Sequence, residues 1–266
     1  MNSPHDHVTA ATRITKSDRP LDDATVVPER ERGGGAVTDS GPLTLERRDE
    51  VALITLTAGD NRFNPTSIAA WNAALDEVEG DDSYAALVTT GTGKFYSNGL
   101  DLDWMGSLAP EDRAQSGQMI TDTIRLLGRL LSFPTYTVAA INGHAFAGGA
   151  MLTLAHDARV MRSDRGFWCL PEVDLNMPLA PGMAAIVQAR LTPQVAHEAV
   201  LTGQRYPADE ALAKAIVDAV SPEAEVVRDA VALAVTQAAR GRSTVGQLKR
   251  DLYGPALAIM AEGALP

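Results

Sequence analysis

The chain has 266 residues and a formal charge of −11, from 23 Lys and Arg against 34 Asp and Glu. Hydrophobic residues make up 45% and aromatic residues 5%, which is typical of a globular protein with ample chain for a buried core. The acidic balance argues against nucleic acid or an anionic membrane as the main partner, since both require a basic face. The single cysteine, Cys169, excludes an intramolecular disulfide and a cysteine-based metal site.

Residues 1–42 differ in composition from the rest of the chain. They contain four prolines, three consecutive glycines at 33–35 and no aromatic residue. Such a segment buries too little apolar surface to offset its ordering entropy, so we interpret it as a flexible N-terminal extension. The first residues lack the apolar stretch of a secretory signal, and no run approaches the about 18 apolar residues of a membrane span. We therefore expect a soluble, cytoplasmic protein.

From Leu43 onward the hydrophobic pattern is regular and alternates between strand and helix. Strands are predicted at residues 43–47, 51–57, 85–90, 136–141, 158–162 and 167–170, and helices at 66–80, 111–131 and 148–156. The remaining chain is mainly helical, interrupted by a short strand at 215–220. Strands that alternate with helices imply parallel crossover connections, so the fold class is α/β.

Several common functional signatures are absent. The segment GTGK at 91–94 lacks the spacing of a phosphate-binding P-loop, and Ser97 does not stand in the turn that presents a hydrolase nucleophile. His144 and His156 lie twelve residues apart, which matches no known metal-ligand spacing on a helix. The sequence therefore predicts no metal site.

Two turns that contain glycine each follow a buried strand. In FYSNGLDL, residues 95–102, the Asn98–Gly99 pair turns the chain and Asp101 can cap a helix that begins near Leu102. The backbone N–H of Leu100 would then point out of the carboxyl edge of the sheet.

In NGHAFAGGA, residues 142–150, Gly148 and Gly149 would open a helix with free N–H groups and no obstructing side chain. Two such donors facing one point make an oxyanion hole, although by spacing alone such segments are more often only turns.

At these residues the sequence resembles the crotonase superfamily, the enoyl-CoA hydratase/isomerase fold. The two glycine turns are similar to its oxyanion loops, and AHDARV at 155–160 with RGFWCLPEVDL at 165–175 is similar to its following strand pair and catalytic loop. The resemblance covers about residues 43–260. It implies a ClpP-like spiral of ββα units over residues 43–200 and a mainly helical C-terminal trimerisation region over 201–266.

Within the superfamily the sequence most resembles the plant-type Δ3,Δ2-enoyl-CoA isomerases. The shared features are the segment at 97–102, the Ala-His-Asp at 155–157, the Asp-Arg-Gly-Phe at 164–167 and the Glu-Val-Asp at 172–174. The ending KRDLYGP, residues 249–255, is also similar to theirs.

The resemblance implies an acyl-CoA thioester as substrate. Its carbonyl oxygen would accept hydrogen bonds from the N–H groups of Leu100 and Gly148, which stabilise the enolate formed when a C2 proton leaves. Glu172 matches the family's catalytic glutamate, and its apolar neighbours predict a raised pKa. No cofactor is implied, because coenzyme A is part of the substrate.

One position departs from the hydratase pattern. Hydratases use a second glutamate on the helix that follows the second oxyanion glycine, and that position is Met151 here. A methionine neither holds a proton nor orients water, so a single glutamate favours double-bond isomerisation. Asp174 or Asp103 can supply the missing acid, which leaves a hydratase or another crotonase-type lyase as an alternative. A non-catalytic acyl-CoA-binding protein is the other alternative.

Further residues are candidates for substrate binding. The family also generally assembles as trimers or as hexamers of two trimers. Arg62 is predicted to meet a CoA phosphate and Phe63 to pack on the pantetheine or acyl chain. The remaining candidates around the acyl group are Ser97, Asn98, Gly149, Met151 and Trp168, with Met105 and Met119 further along the acyl tunnel. We expect a homotrimer or hexamer.

Overall fold

The computed structural model describes residues 37–39 and 41–263. The strands are β1 (Val37–Asp39), β2 (Leu43–Arg48), β3 (Val51–Leu56), β4 (Ala86–Gly91), β5 (Phe95–Ser97), β6 (Tyr136–Ile141), β7 (His144–Phe146), β8 (Ala158–Arg162), β9 (Trp168–Cys169) and β10 (Ala219–Ser221). The helices are α1 (Pro65–Gly80), α2 (Leu102–Ser107), α3 (Ala114–Leu131), α4 (Gly148–Leu154), α5 (Pro181–Arg190), α6 (Pro193–Thr202), α7 (Ala208–Ala213), α8 (Val226–Val235) and α9 (Arg242–Glu262). Two short 3₁₀ turns lie at Pro110–Asp112 and Pro171–Val173.

The larger sheet has seven strands in the order β1-β2-β3-β4-β6-β8-β10. β2 pairs antiparallel with β1 and β3, whereas the pairs from β3 onward are parallel. The central strands β4 and β8 are buried along their whole length, including the polar side chains of Thr89 and Thr90 in β4 and of Arg159 and Arg162 in β8. The strands of the smaller sheet follow directly from strands of this larger sheet.

The smaller sheet consists of β5, β7 and β9, all parallel. Each of its strands follows a strand of the larger sheet after a short connection, at residues 92–94, 142–143 and 163–167. The chain therefore repeats a unit of two strands followed by helical chain. This is the α/β spiral of ββα units that the sequence predicted, and a helical C-terminal region follows it.

Two apolar cores stabilise this arrangement. The main core lies between the two sheets and the helices α1, α3, α4 and α5, with Trp71, Tyr96 and Trp168 among its largest fully buried side chains. The second core lies on the other face of the larger sheet, where α8 covers β4, β6 and β8. Burial of this apolar surface is the main driving force for the fold.

Most predicted elements are confirmed, and the strands at 136–141 and 158–162 match to the residue. The strand predicted at 167–170 is only Trp168–Cys169, because Pro171 begins a 3₁₀ turn. The strand predicted at 215–220 is Ala219–Ser221, because residues before it form a turn in which Ala215 has φ of 55°.

The predicted flexible extension at 1–42 is too long at its C-terminal end. Residues 37–39 form β1, which pairs antiparallel with β2 and adds an edge strand to the larger sheet. Residues 1–36 and residue 40 lie outside the described residues. The predicted boundary between 200 and 201 falls inside α6, near the end of that helix.

Candidate active site

The three parallel strands of the smaller sheet end at one edge, and a candidate catalytic group follows each of them. Leu100 comes three residues after β5, Gly148 two residues after β7 and Glu172 three residues after β9. Because the carboxyl ends of parallel strands meet at the same edge of a sheet, this topology brings together residues that are far apart in sequence.

The segment at Leu100 is held by a single parallel bridge to Phe63. The Phe63 N–H donates to the Gly99 carbonyl at 2.8 Å, and the Asp101 N–H donates to the Phe63 carbonyl at 2.9 Å. Both bonds face Phe63, so the Leu100 N–H points to the other side, where no acceptor lies among the described residues. Asp101 caps α2 as predicted, because its Oδ1 accepts from the Trp104 N–H at 3.1 Å.

The second segment places Gly148 at the first position of α4. Ala147 precedes it with φ of 50° and ψ of −123°, a strained conformation for a residue with a Cβ atom. The helical bonds of α4 begin at Met151, whose N–H donates to the Ala147 carbonyl at 3.0 Å. The Gly148 N–H therefore has no acceptor within the described residues and points out of the helix.

Glycines let the two segments approach closely. A Cβ atom on Gly149 would lie 2.1 Å from the Ser97 carbonyl oxygen, and one on Gly99 would lie 2.9 Å from the Gly148 nitrogen. Gly99 also has φ of +78°, which other residues rarely adopt. Two unpaired N–H donors from separate segments are thus neighbours, which is the arrangement that stabilises a developing oxyanion.

Glu172 lies in the 3₁₀ turn at Pro171–Val173 and is only 9% exposed. Its Oε2 atom is buried and has no hydrogen-bond partner among the described residues. Burial raises the pKa of Glu172 to about 7, even though a backbone hydrogen bond acts in the opposite direction. A carboxyl group that titrates near neutrality can both take up and return a proton.

Ser97 supports the first loop from inside the core. Its side chain is fully buried, and its hydroxyl donates to the Asn61 carbonyl at 2.7 Å. The Gly99 N–H in turn donates to the Ser97 hydroxyl at 3.3 Å. The hydroxyl is therefore used within the loop, and the substrate contact expected of Ser97 stays a prediction.

Asn98 holds the same loop from the outside. Its N–H donates to the Asp60 carbonyl at 3.0 Å, which ties the loop after β5 to the loop before α1. The Asn98 side chain remains partly exposed at the edge of the smaller sheet.

Met151 and Trp168 lie behind the two N–H donors and are fully buried. Met151 is one helical turn from Gly148, and the Trp168 Nε1–H donates to the Thr153 hydroxyl at 3.0 Å. Trp168 therefore packs inside the core with its polar atom satisfied. Glu172 is the only Asp or Glu that is buried in the part of the chain that the structure describes.

The structure places Arg62 among carboxylates and not in an open anion site. Its guanidinium lies 2.5 Å from Asp103, 2.9 Å from Asp60 and 3.7 Å from Asp101. The prediction that Arg62 binds a CoA phosphate does not fit this arrangement, because three aspartates surround its charge. Phe63, by contrast, is buried against the two donor segments, with its ring 3.6 Å from a Cβ built on Gly148.

The two candidates for a second acid occupy exposed positions. The Asp103 side chain is 87% exposed and is bound to Arg62. Asp174 is exposed and lies next to Gly203, at the end of α6. Neither carboxylate shares the buried environment of Glu172.

Two features of the site were not predicted from the sequence. The strained backbone at Ala147 carries no distinguishing side chain, so no pattern could have predicted it. The second feature is the support that Asn61 gives to β5, since its side-chain amide donates to the carbonyls of Phe95 and Tyr96. The φ of 53° at Asn61 is a conformation in which asparagine is enriched, and that was the available signal.

Among residues 37–39 and 41–263, no group of three or more His, Cys, Asp or Glu side chains is arranged to hold a metal ion. Within the same residues, no helix has the length and apolar character needed to cross a membrane.

Comparisons with known proteins agree with this geometry. The model of the family Enoyl-CoA hydratase/isomerase matches residues 46–258. Enoyl-CoA delta isomerase 3 of Arabidopsis thaliana is 36% identical over 217 residues, which are 79% of this chain and 91% of that protein. The peroxisomal enoyl-CoA delta isomerase 2 of the same plant is 35% identical over 219 residues, again 79% of this chain and 91% of the relative.

A solved structure shows the same fold. The crystal structure of a probable enoyl-CoA hydratase from Mycobacterium tuberculosis has a TM-score of 0.78 and 30% sequence identity, and the match covers 84% of this chain and 93% of that one. This chain belongs to the enoyl-CoA hydratase/isomerase family, the crotonase superfamily, and is an enzyme of that family. Enzymes of this superfamily act on acyl-CoA thioesters. The predicted similarity to plant-type isomerases is confirmed.

Proposed function

We propose that the protein converts 3-enoyl-CoA into trans-2-enoyl-CoA in fatty-acid metabolism, with Glu172 as its single base. The observation that carries this proposal is the buried Glu172 carboxyl group: among the described residues its Oε2 atom has no hydrogen-bond partner, and no second buried carboxylate is present. The names of the two Arabidopsis relatives, both enoyl-CoA delta isomerases, support the same reaction.

The reaction begins when the thioester carbonyl oxygen binds between the N–H groups of Leu100 and Gly148. Glu172 removes a proton from C2, and the electron pair of that C–H bond forms the C1–C2 double bond of an enolate. The negative charge on the oxygen is stabilised by the two donors, an effect commonly worth about 10²–10³ in rate per donor. The oxygen lone pair then restores the C1 carbonyl, and the electron pair of the C1–C2 double bond forms the new C2–C3 double bond. The electron pair of the original C3–C4 double bond takes the proton from Glu172 at C4.

The pKa of Glu172 suits this cycle. Since burial raises the pKa to about 7, ionised and protonated forms are both populated near neutral pH. The carboxylate is thus a stronger base than an exposed glutamate, and its acid form returns the proton readily. The proposed proton transfer uses no cofactor, because coenzyme A enters as part of the substrate.

Met151 is the reason for preferring isomerisation to hydration. Adding water requires a positioned water molecule and a proton donor, and the fully buried methionine supplies neither. Hydration, or another lyase reaction, is the second candidate: one solved structure of the Mycobacterium tuberculosis relative is described as a probable enoyl-CoA hydratase, whereas another structure of that protein is described as an enoyl-CoA isomerase. A non-catalytic acyl-CoA-binding role is the third candidate. The assay below distinguishes it from isomerisation and from hydration.

The absorbance of the conjugated thioester distinguishes these functions. Purified protein is mixed with 3-enoyl-CoA or with trans-2-enoyl-CoA of matched chain length, and the ultraviolet signal of the conjugated product is followed. We expect the signal to rise with 3-enoyl-CoA and to fall far more slowly with the 2-enoyl substrate. A hydration rate equal to or above the isomerisation rate would refute the single-carboxylate mechanism, and no change with either substrate would indicate a binding protein.

The assembly is a further part of the proposal. We propose a homotrimer or a hexamer of two trimers, and the apolar residues exposed on α9 support a covered face there: Leu248, Leu252 and Ile259. Light scattering on the purified protein would give the mass of the assembly. The cytoplasmic location stays a prediction, and the description of one plant relative as peroxisomal makes the peroxisome the alternative to compare in a localisation experiment.

A further inference from the structure

A chain of hydrogen bonds runs through the interior behind the two N–H donors. The Thr89 Oγ1 atom lies 2.6 Å from the Tyr96 hydroxyl and 2.8 Å from His156 Nε2. On the other side of the imidazole, His156 Nδ1 lies 2.8 Å from the Leu152 carbonyl oxygen. Thr89, Tyr96 and His156 are all at most 1% exposed, so water does not compete for these bonds.

The direction of every proton in this chain follows from chemistry. A carbonyl oxygen only accepts, so Nδ1 of His156 carries a proton and donates to Leu152. Burial lowers the pKa of His156 to about 3, so the imidazole is neutral and its Nε2 accepts from the Thr89 hydroxyl. With its only proton used, Thr89 accepts from the Tyr96 hydroxyl.

These hydrogen bonds join the two elements that carry the N–H donors of the oxyanion hole. Tyr96 lies on β5, which leads into the loop of Leu100, and the Leu152 carbonyl belongs to α4, which begins at Gly148. Thr89 lies on β4, so the same hydrogen bonds also attach β5 and α4 to the larger sheet.

A second contact fixes the other end of α4. There the first turn packs directly on β5, because Gly149 brings its backbone against the Ser97 carbonyl. β5 and α4 are therefore held together at both ends of the helix. The angle between them, and with it the spacing of the two N–H donors, is determined by these two contacts.

We propose that the Tyr96–Thr89–His156 chain is a positioning device for the oxyanion hole, an inference that rests on the proposed function of that hole. Thr89 is the central positioning residue, because it is the one member that bonds to both of the others. None of the three side chains touches the substrate in this proposal. They act by keeping the Leu100 and Gly148 N–H groups aimed at one point.

The test compares Thr89→Val with the matched control Thr90→Val. Thr90 is the next residue of β4, is also buried, and its hydroxyl donates to the Ala140 carbonyl at 2.9 Å, away from the hydrogen-bond chain. Each substitution removes one buried hydroxyl, so both should lower the melting temperature. We expect only Thr89→Val to lower kcat, by about tenfold with KM changed less than about twofold, since small displacements of catalytic groups have effects of this size or larger.

Two further variants keep the test decisive. Thr89→Ser retains the hydroxyl and should restore kcat to within about twofold of wild type. Tyr96→Phe leaves the bond between Thr89 and His156 in place, so it should fold even where Thr89→Val does not. We expect its kcat to fall by about threefold, less than for Thr89→Val, because only the outer bond of the chain is lost.

A spectroscopic measurement separates this inference from the proposed reaction. The infrared stretch of a ¹³C-labelled thioester carbonyl is recorded for a saturated acyl-CoA, which cannot isomerise, bound to each variant. Wild type and Thr90→Val should shift the band to lower wavenumber, and Thr89→Val should shift it less. If wild type fails to isomerise but this pattern holds, the proposed reaction is wrong and the positioning role stands.

The positioning role is overturned if folded Thr89→Val, or Tyr96→Phe where the first variant does not fold, keeps the wild-type kcat and carbonyl shift. Equal losses of kcat in Thr89→Val and Thr90→Val would also overturn it, since the effect would then reflect general destabilisation. A wild-type carbonyl band that does not shift would refute both the oxyanion hole and its positioning.

Discussion

Carboxylates at the edge of the smaller sheet occupy two contrasting environments. Asp60, Asp101 and Asp103 gather around Arg62, where the loop before α1 meets the first turn of α2, and every one of these carboxylates has a cationic neighbour. Glu172, across the edge, is buried beside apolar groups with one oxygen unpaired. The aspartate carboxylates are thus paired with Arg62, whereas the Glu172 carboxyl group has no cationic partner among the described residues.

The pKa values follow from this difference. Partial burial alone would raise the pKa of Asp101, but hydrogen bonds from Asn64 and the Trp104 N–H, with the charge of Arg62, lower it overall. At Glu172 burial dominates and the pKa rises to about 7. The paired group keeps its charge and holds the loop in place, whereas the unpaired group is able to exchange a proton.

The largest effect is expected from Glu172→Gln. The amide keeps the shape but cannot take the C2 proton, and loss of a general base commonly costs about 10²–10⁴ in rate. The variant should remain folded and bind acyl-CoA, as measured by calorimetry. Asp174→Asn is the matched control, since it removes an exposed carboxylate two residues away and should change kcat less than twofold. Near-wild-type turnover of the glutamine variant would remove Glu172 from the mechanism.

The next effect concerns the Gly148 N–H donor. Gly148→Pro deletes the N–H at the first position of α4, where proline is otherwise compatible with a helix, and should lower kcat by about 10²–10³. Gly148→Ala keeps the N–H, and its Cβ would meet its nearest neighbours at ordinary distances of 3.5 and 3.6 Å. Steady-state kinetics of the pair, with circular dichroism to confirm folding, should show activity in the alanine variant alone. Equal activities would show that this N–H is not a donor to the oxyanion.

The titration of Glu172 gives an effect of intermediate size. Because the base must be ionised, kcat/KM should rise about tenfold from pH 6 to a plateau above the pKa of about 7. A profile that is flat between pH 5.5 and 8.5 would contradict the raised pKa.

Stability should follow the same group with the opposite sign. The folded-state pKa of Glu172, about 7, lies above its ordinary value of 4.5, so between these values the folded protein binds more protons than the unfolded chain. The contribution of this group to stability is therefore complete below pH 4.5 and is lost as the pH rises through about 7, by at most about 3 kcal/mol. Denaturant unfolding of Glu172→Gln should show the glutamine variant gaining on wild type as the pH rises over this interval.

The smallest effect is expected at the paired carboxylates. Arg62→Ala leaves three aspartates without their cation, and because exposed ion pairs are each worth about 0–1 kcal/mol, unfolding should become easier by about 1 kcal/mol. KM for acyl-CoA should change less than twofold, as for the control Arg113→Ala, which removes an exposed arginine. An increase of KM by tenfold or more for Arg62→Ala alone would restore the prediction of a phosphate contact.

Local sequence determined much of this protein. The hydrophobic pattern predicted β6 and β8 to the residue, because a strand buried in a parallel sheet is rich in apolar side chains, as residues 138–141 and 160–161 are. The sequence also predicted Asp101 as the cap of α2 and Gly148 as the start of α4, because both features depend on neighbouring residues in the chain. The family followed from three motifs in the expected order.

Tertiary structure alone decided which of these groups is available for chemistry. Ser97 and Arg62 are polar residues beside the site, yet Asn61 uses the hydroxyl of one and three aspartates surround the charge of the other. Asp60 is a local partner of Arg62, but Asp101, Asp103 and the partner of Ser97 come from loops distant in sequence, and no local pattern specifies them. The isolation of Glu172 and the bonds of Thr89 likewise depend on what packs around them, because desolvation and hydrogen-bond geometry are properties of the folded surroundings and not of the residue itself.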